Sequence, residues 1–279
     1  MSAQPEKFKA QLVYLAPIMA SLLFGFLCAT LLQKPTPSSP PVYPVTPISQ
    51  TTPEGPYFNA IYFVTIISVG AFLLYFLIKY RNRKTLNLLT GFALTTAFLL
   101  ISFVYFSTLL SSIPDSLPIV IAIAIVVALV GDLVIFRFQG KASDSLVVGL
   151  GGALGAFLGA NLNIPTALLI LSFLAVYDVV AVYRGPVGKI ANSGLEQLRG
   201  LSFSFKEIQM GLGDLVFYSL LAATMFINLN LVASVFSIVG ILVGSYLTFL
   251  VLEKREVFPG LPFPIALGIA FGVIAGLLF

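Results

Sequence analysis

Residues 165 to 184 read Pro-Thr-Ala-Leu-Leu-Ile-Leu-Ser-Phe-Leu-Ala-Val-Tyr-Asp-Val-Val-Ala-Val-Tyr-Arg, with Asp178 the one acid and Arg184 the one base. At about 1.5 Å per residue a run of this length covers about 30 Å as a helix, the hydrocarbon thickness of a bilayer. It predicts a transmembrane helix that carries a carboxylate. The rest of the chain is of the same kind: of 279 residues, 58% are hydrophobic and 9% charged, against roughly a quarter charged in soluble domains.

Eight further stretches are apolar over a comparable length. The spans fall at about 12–32, 58–78, 86–110, 117–136, 145–162, 165–184, 208–227, 231–252 and 261–279. The first follows Lys7 and Lys9 but is longer than the roughly 7 to 15 apolar residues of a cleavable signal, so it reads as a retained span. Lysine and arginine concentrate in cytoplasmic loops. With the N-terminus inside, 14 of the 15 basic residues lie on the cytoplasmic side and only Lys34 falls outside. A missed or invented span would swap the sides of every later loop. The expected fold is therefore an all-α polytopic membrane protein, one membrane domain over residues 1–279, with nine transmembrane helices, a cytoplasmic N-terminus and an outer C-terminus.

Two connections stand out. The outer loop 33–57 holds eight of the 17 prolines and reads as an extended, flexible segment. Residues 185–207 form the longest cytoplasmic loop, with mixed charge and a Phe203-Ser204-Phe205 stretch. No internal repeat of transporter type is visible in the sequence.

The chain has no histidine, no tryptophan and one cysteine, Cys28. That excludes a Ser-His or Cys-His couple, His-ligated zinc, an HExxH metalloprotease helix and haem ligation by histidine. One cysteine cannot make an intrachain disulfide. A net charge of +4 does not point to nucleic acid, because the basic residues sit in short spacers between apolar runs. Chemistry has to come from carboxylates, hydroxyls, amines or backbone. Neither a metal nor an organic cofactor is implied.

Of 11 acids, three fall inside the predicted spans: Asp132, Asp178 and Asp214. A carboxylate there costs about 2.5 to 3.5 kcal/mol on insertion scales, so each needs a reason. Asp132 lies near the cytoplasmic end of its span and close to Arg137, which fits an interfacial acid that snorkels or pairs with a base. The other two lie six residues from the cytoplasmic ends of consecutive antiparallel spans, Asp178 before Arg184 and Asp214 after Ile208. Both are thus about 9 Å deep and able to meet. Gly211 and Gly213 precede Asp214 and suit close backbone approach. Two carboxylates a few ångströms apart cannot both ionise readily, which yields one charged and one protonated group. Such a couple activates water and polarises a scissile carbonyl in aspartic proteases. Position alone also suits acids on a proton or cation pathway of a transporter, and both readings stand at this point.

The flanking residues separate them. Asp178 sits in Ala-Val-Tyr-Asp-Val-Val-Ala-Val (175–182) and Asp214 in Gly-Leu-Gly-Asp-Leu-Val-Phe-Tyr-Ser (211–219). This resembles the presenilin family of intramembrane aspartyl proteases, whose marks are a YD motif in the sixth span and a GxGD motif in the seventh. The N-inside orientation agrees with presenilins rather than with the oppositely inserted signal peptide peptidases. A third family mark, Pro-Ala-Leu at the start of the ninth span, is matched by Pro259-Gly260-Leu261-Pro262, with glycine in place of alanine. The resemblance implies Asp178 and Asp214 as catalytic groups, Tyr177, Gly211, Leu212, Gly213 and Pro259 to Pro262 as motif and substrate-positioning residues, and transmembrane helices as substrates. Prolines there leave carbonyls and irregular backbone beside the pair, able to take up an extended substrate strand; a helix start with proline in its first turn is the plain alternative. The chain looks like the compact prokaryotic, archaeal members. Loop 185–207 is much shorter than in eukaryotic presenilins, so neither self-cleavage nor obligatory partner subunits are implied, and a homo-oligomer is left open. Gly151, Gly155 and Gly159 form a ladder suited to helix packing.

Overall fold

The computed structural model describes residues 9–33, 45–80, 83–138, 140–183, 200–255 and 258–279. Among these the chain forms nine helices: α1 (Ala16–Leu32, preceded by a 3-10 turn at Leu12–Leu15), α2 (Gly55–Lys79), α3 (Arg83–Leu109), α4 (Leu117–Arg137), α5 (Lys141–Asn161), α6 (Ile164–Tyr183), α7 (Leu212–Asn228), α8 (Leu231–Leu252) and α9 (Pro262–Leu278). Helices satisfy every backbone group within the segment, which a lipid environment demands. Pro17, Pro56, Pro118 and Pro262 stand in the first turns of α1, α2, α4 and α9, where their missing N–H costs nothing.

The protein is an all-α polytopic membrane protein with one addition. Strand β1 (Ser202–Phe205) pairs antiparallel with β2 (Ile208–Gly211), Phe203 opposite Met210 and Phe205 opposite Ile208. Two expectations change here. The seventh helix starts at Leu212 rather than at 208, and the Phe203-Ser204-Phe205 stretch is a strand. Ser-Phe-Ser-Phe alternates with period two, which suits a strand with one face buried, and Phe203 and Ile208 are buried. Lys206 takes the left-handed conformation, φ 55°, in the two-residue turn, and Leu212 N–H donates to Leu201 O at 2.8 Å to close the hairpin. Asp214 is therefore in the first turn of its helix, and the equal-depth count from Ile208 does not hold.

Among the described residues seven helices, α1 taken together with its 3-10 turn, are long and apolar enough to cross a bilayer, while α7 and α9 have 17 residues each. At about 25 Å the two fall short of a hydrocarbon core of about 30 Å. Each is preceded by non-helical chain, the hairpin before α7 and Pro259 to Leu261 before α9.

Packing runs through small residues. The Gly151, Gly155, Gly159 ladder of α5 lies against α7: a methyl on Gly155 would stand 2.5 Å from Ser219 Cβ and 2.8 Å from Leu220 N, and one on Gly159 2.7 Å from Leu220 O. Gly240 and Gly244 of α8 meet the backbone of α9 in the same way. By contrast α2 fully buries only residues near its start, Gly55, Pro56, Asn59 and Ala60; Phe63, Val64 and Ile67 pack half-buried on the core, and side chains such as Ile66, Val69 and Phe72 are exposed.

Other expectations are corrected. The described part of the outer loop, 45–57, is pinned: Asn59 bonds both to Ile48 N and to Ile48 O, and Gln50 bonds to Asn161 O and Asn163 N. Amide side chains there replace the backbone pairing that the prolines forbid. Residues 34–44 lie outside the described residues, as do Arg184 and 185–199 of the cytoplasmic loop. Helix α5 starts at Lys141, so Asp144 is in a helix first turn rather than a loop. Asp132 pairs with no base among the described residues; it accepts from Thr95 Oγ1 of α3, because α3 is the helix packed on α4.

Candidate active site

Asp178 comes from the inner half of α6 and is half-buried. Its Oδ2 accepts the Leu261 N–H at 3.0 Å, and the Gly260 N–H faces the same carboxylate. Asp214 is the third residue of α7. Its carboxylate reaches back to the N–H of Gly211, the N-cap, which has extended φ −77°, ψ 144°. This is the returning half of a capping box and fixes the carboxylate at the helix mouth. The two carboxylates, on different helices, lie within electrostatic reach of each other.

Between them runs the segment before α9. The Gly260 Cα faces Asp214 so closely that an added methyl would stand 3.1 Å from Oδ2 and 3.4 Å from Cγ. Gly260 O accepts from the Tyr218 hydroxyl at 2.9 Å. Pro259 and Leu261 are buried, and the rings of Phe258 and Phe263 stack 5.5 Å apart across the segment. Three backbone atoms of this segment are thus tied to side chains of α6 and α7.

The structure thus brings together Asp178, Asp214, Gly211, Gly260 and Leu261. Leu212 is buried and opens α7, and Pro262 is the first residue of α9. Gly213 is exposed, and among the described residues methyls built on Gly211 or Gly213 would meet only atoms of Gly213, Asp214 and Phe217. Among the described residues these two glycines do not serve close helix approach, which corrects that expectation: Gly211 precedes the helix as its N-cap, and Gly213 faces only Phe217 of its own helix. Tyr177 is half-buried and makes no hydrogen bond among the described residues. Sequence reasoning passed over Tyr218, whose signal was its place four residues after Asp214, on the same helix face. It also passed over Tyr183, whose hydroxyl accepts from Arg255 Nη1 at 3.1 Å and ties the end of α6 to the chain just past α8. Among the described residues no cluster of three or more Cys, Asp or Glu could ligate a metal.

Comparison with known proteins assigns the chain. Residues 20–191, which include Asp178, match the family described as signal-peptide peptidase, presenilin aspartyl protease. The chain belongs to this family. Residues 189–279, with Asp214 and the Pro259 segment, match the presenilin family. This presenilin-type chain is 30% identical over 223 residues to Presenilin-B of Dictyostelium discoideum, a match covering 74% of this chain and 46% of that protein; it spans about half the length of the curated relative it matches. Two solved structures of a presenilin family intramembrane aspartate protease, in C222 and P2 crystal forms, have the same fold. They give TM-scores of 0.66 and 0.67 at 20% and 23% identity, covering 94% and 97% of this chain and 100% of each of theirs.

Proposed function

We propose that this protein is an intramembrane aspartyl endopeptidase that cleaves transmembrane segments of other membrane proteins near their cytoplasmic ends. The observation that carries the reading is the convergence of two membrane-embedded carboxylates from α6 and α7 on one irregular backbone segment, Gly260 to Leu261. A substrate helix hides its carbonyls in its own hydrogen bonds and has to unwind before water can attack. The non-helical segment before α9 offers backbone partners for the strand so released. Asp178 and Asp214 share the roles of base and acid: the charged member draws the proton from water, and the protonated member donates to the scissile carbonyl oxygen as the tetrahedral centre forms. The roles belong to the pair, which titrates as a unit. Tyr177 flanks the pair from α6.

The resemblance to compact archaeal presenilins supports a place in a prokaryotic cell membrane and catalysis without obligatory partner subunits. The test is purified protein in lipid, mixed with single-span substrates, with Asp178→Ala and Asp214→Ala alongside the parent. Cleavage lost in both variants supports the dyad. Cleavage persisting in both would falsify it, and ion-coupled solute uptake by proteoliposomes without any proteolysis would transfer the acids to a transport pathway.

A further inference from the structure

We propose that Tyr218 is a positioning residue for the aspartate pair, holding the Asp178 carboxylate through the Gly260–Leu261 peptide. The inference rests on the protease reading above and assigns a role to a residue that reading does not use. Tyr218 is fully buried, at 1% exposure, one helical turn beyond Asp214. Its hydroxyl lies within electrostatic reach of both carboxylates, with the Ser245 hydroxyl of α8 beside it. Ser245 is anchored in turn, donating to Ile241 O at 2.8 Å. The phenolic hydrogen goes to Gly260 O at 2.9 Å.

That carbonyl belongs to the same peptide unit as the Leu261 N–H, which donates to Asp178 Oδ2 at 3.0 Å. A peptide unit is planar, so fixing its oxygen from α7 aims its N–H at α6. Donation to the oxygen also polarises the amide and strengthens the N–H as a donor. The relay Tyr218 O–H to Gly260 O, then Leu261 N–H to Asp178, therefore couples the helix of one aspartate to the carboxylate of the other. A purely structural role would ask only for the ring, which fills space between α7, α8 and the Pro259 segment. Phenylalanine supplies the ring without the relay.

The experiment compares parent and Tyr218→Phe in lipid nanodiscs, with a fluorogenic single-span peptide as substrate and Asp178→Ala as the inactive reference. Two readouts are taken: steady-state kinetics, and the amide resonance of Leu261 in protein labelled with 15N-leucine. The expected result is a kcat lowered about tenfold, on the scale of one lost hydrogen bond, with KM unchanged and the Leu261 amide proton moved upfield. An unchanged kcat, an effect confined to KM, or an unmoved Leu261 resonance overturns the proposal. A parent that cleaves nothing, with the Leu261 resonance still displaced by Tyr218→Phe, removes the protease reading and leaves the positioning of Asp178 standing.

Discussion

The Leu261 backbone N–H donates to Asp178 Oδ2 at 3.0 Å, which fastens the entry of α9 to the acid of α6. Asp214 lies on the other side of the same segment, under Gly260. Asparagine at either position keeps the shape and removes the acid or base. Asp178→Asn and Asp214→Asn are each expected to lower the cleavage rate at least about 10²- to 10⁴-fold, the usual worth of a positioned acid or base. The double variant should lose little more than either single one, because groups acting as a unit are not additive. Rate measurements on substrate-saturated protein check this, with circular dichroism to show that the helices persist.

The pair also predicts the form of the pH profile. Catalysis needs one proton shared by two carboxylates. Lowering the pH until both are protonated removes the base; raising it until both are charged removes the acid. The expected outcome is a bell in kcat/KM whose two limbs belong to the coupled pair. A rate that rises on one side only and then stays level would break the assignment of both roles to these two residues.

Gly260 stands where the family motif has alanine, and the reason is local. A methyl there would meet Asp214 Oδ2 at 3.1 Å, tighter than ordinary contact, so the carboxylate must give way by a few tenths of an ångström. Gly260→Ala is expected to fold and to change kcat by only a few-fold in either direction, since a shift of that size leaves the Asp214 carboxylate at the mouth of its helix. Gly260→Val adds two further carbons against the same carboxylate and should abolish cleavage while leaving the melting temperature within a few degrees of the parent. Paired activity and thermal denaturation measurements separate these outcomes.

What could be read in advance followed from the period and length of apolar runs. Long stretches such as 165–184 admit one interpretation in lipid, and the three acids inside them, Asp132, Asp178 and Asp214, are conspicuous because each is costly there. Signals of another period or another range were lost. The Ser202 to Gly211 hairpin was hidden because a stretch that ends in an apolar helix is extended backwards by any hydropathy window, and its period of two lasts only four residues per strand. The Asn59 and Gln50 clamps join residues 11 and 113 positions apart, which no local pattern reports. Tyr218 carries only the weak signal of its spacing from Asp214: an aromatic on an apolar helix is ordinarily core, and the carbonyl of Gly260 opposite its hydroxyl is what gives it a task.

Contact between α5 and α7 sets where Asp214 sits, and it depends on absent side chains. Gly155→Ala puts a methyl 2.5 Å from Ser219 Cβ, and helix backbones cannot yield locally without moving α7. A cost of about 1–3 kcal/mol is expected, as for overpacking elsewhere, read as a lower midpoint in thermal or denaturant unfolding. Cleavage should fall with it, because Ser219 is on the helix of Asp214 and five residues away. Gly149→Ala on the same helix is the control: its methyl would meet only Phe24 Cε1 at 3.9 Å, and neither stability nor activity should change.

Asp132, the third acid within a helix, leads to the opposite expectation. Thr95 has one hydroxyl hydrogen and two acceptors in reach, Gly91 O at 2.8 Å and Asp132 Oδ2, while Asp132 Oδ1 is buried with no partner among the described residues. Asparagine at 132 resolves the conflict: its amide donates to Thr95 Oγ1, and Thr95 keeps Gly91. Asp132→Asn is therefore expected to hold or raise the melting temperature and to leave proteolysis intact, since this group touches neither Asp178 nor the Pro259 segment. Thr95→Val removes the hydroxyl and leaves the carboxylate without a donor, at a cost of about 1–3 kcal/mol. Loss of cleavage in Asp132→Asn with the fold preserved would move this acid from a link between α3 and α4 into the chemistry.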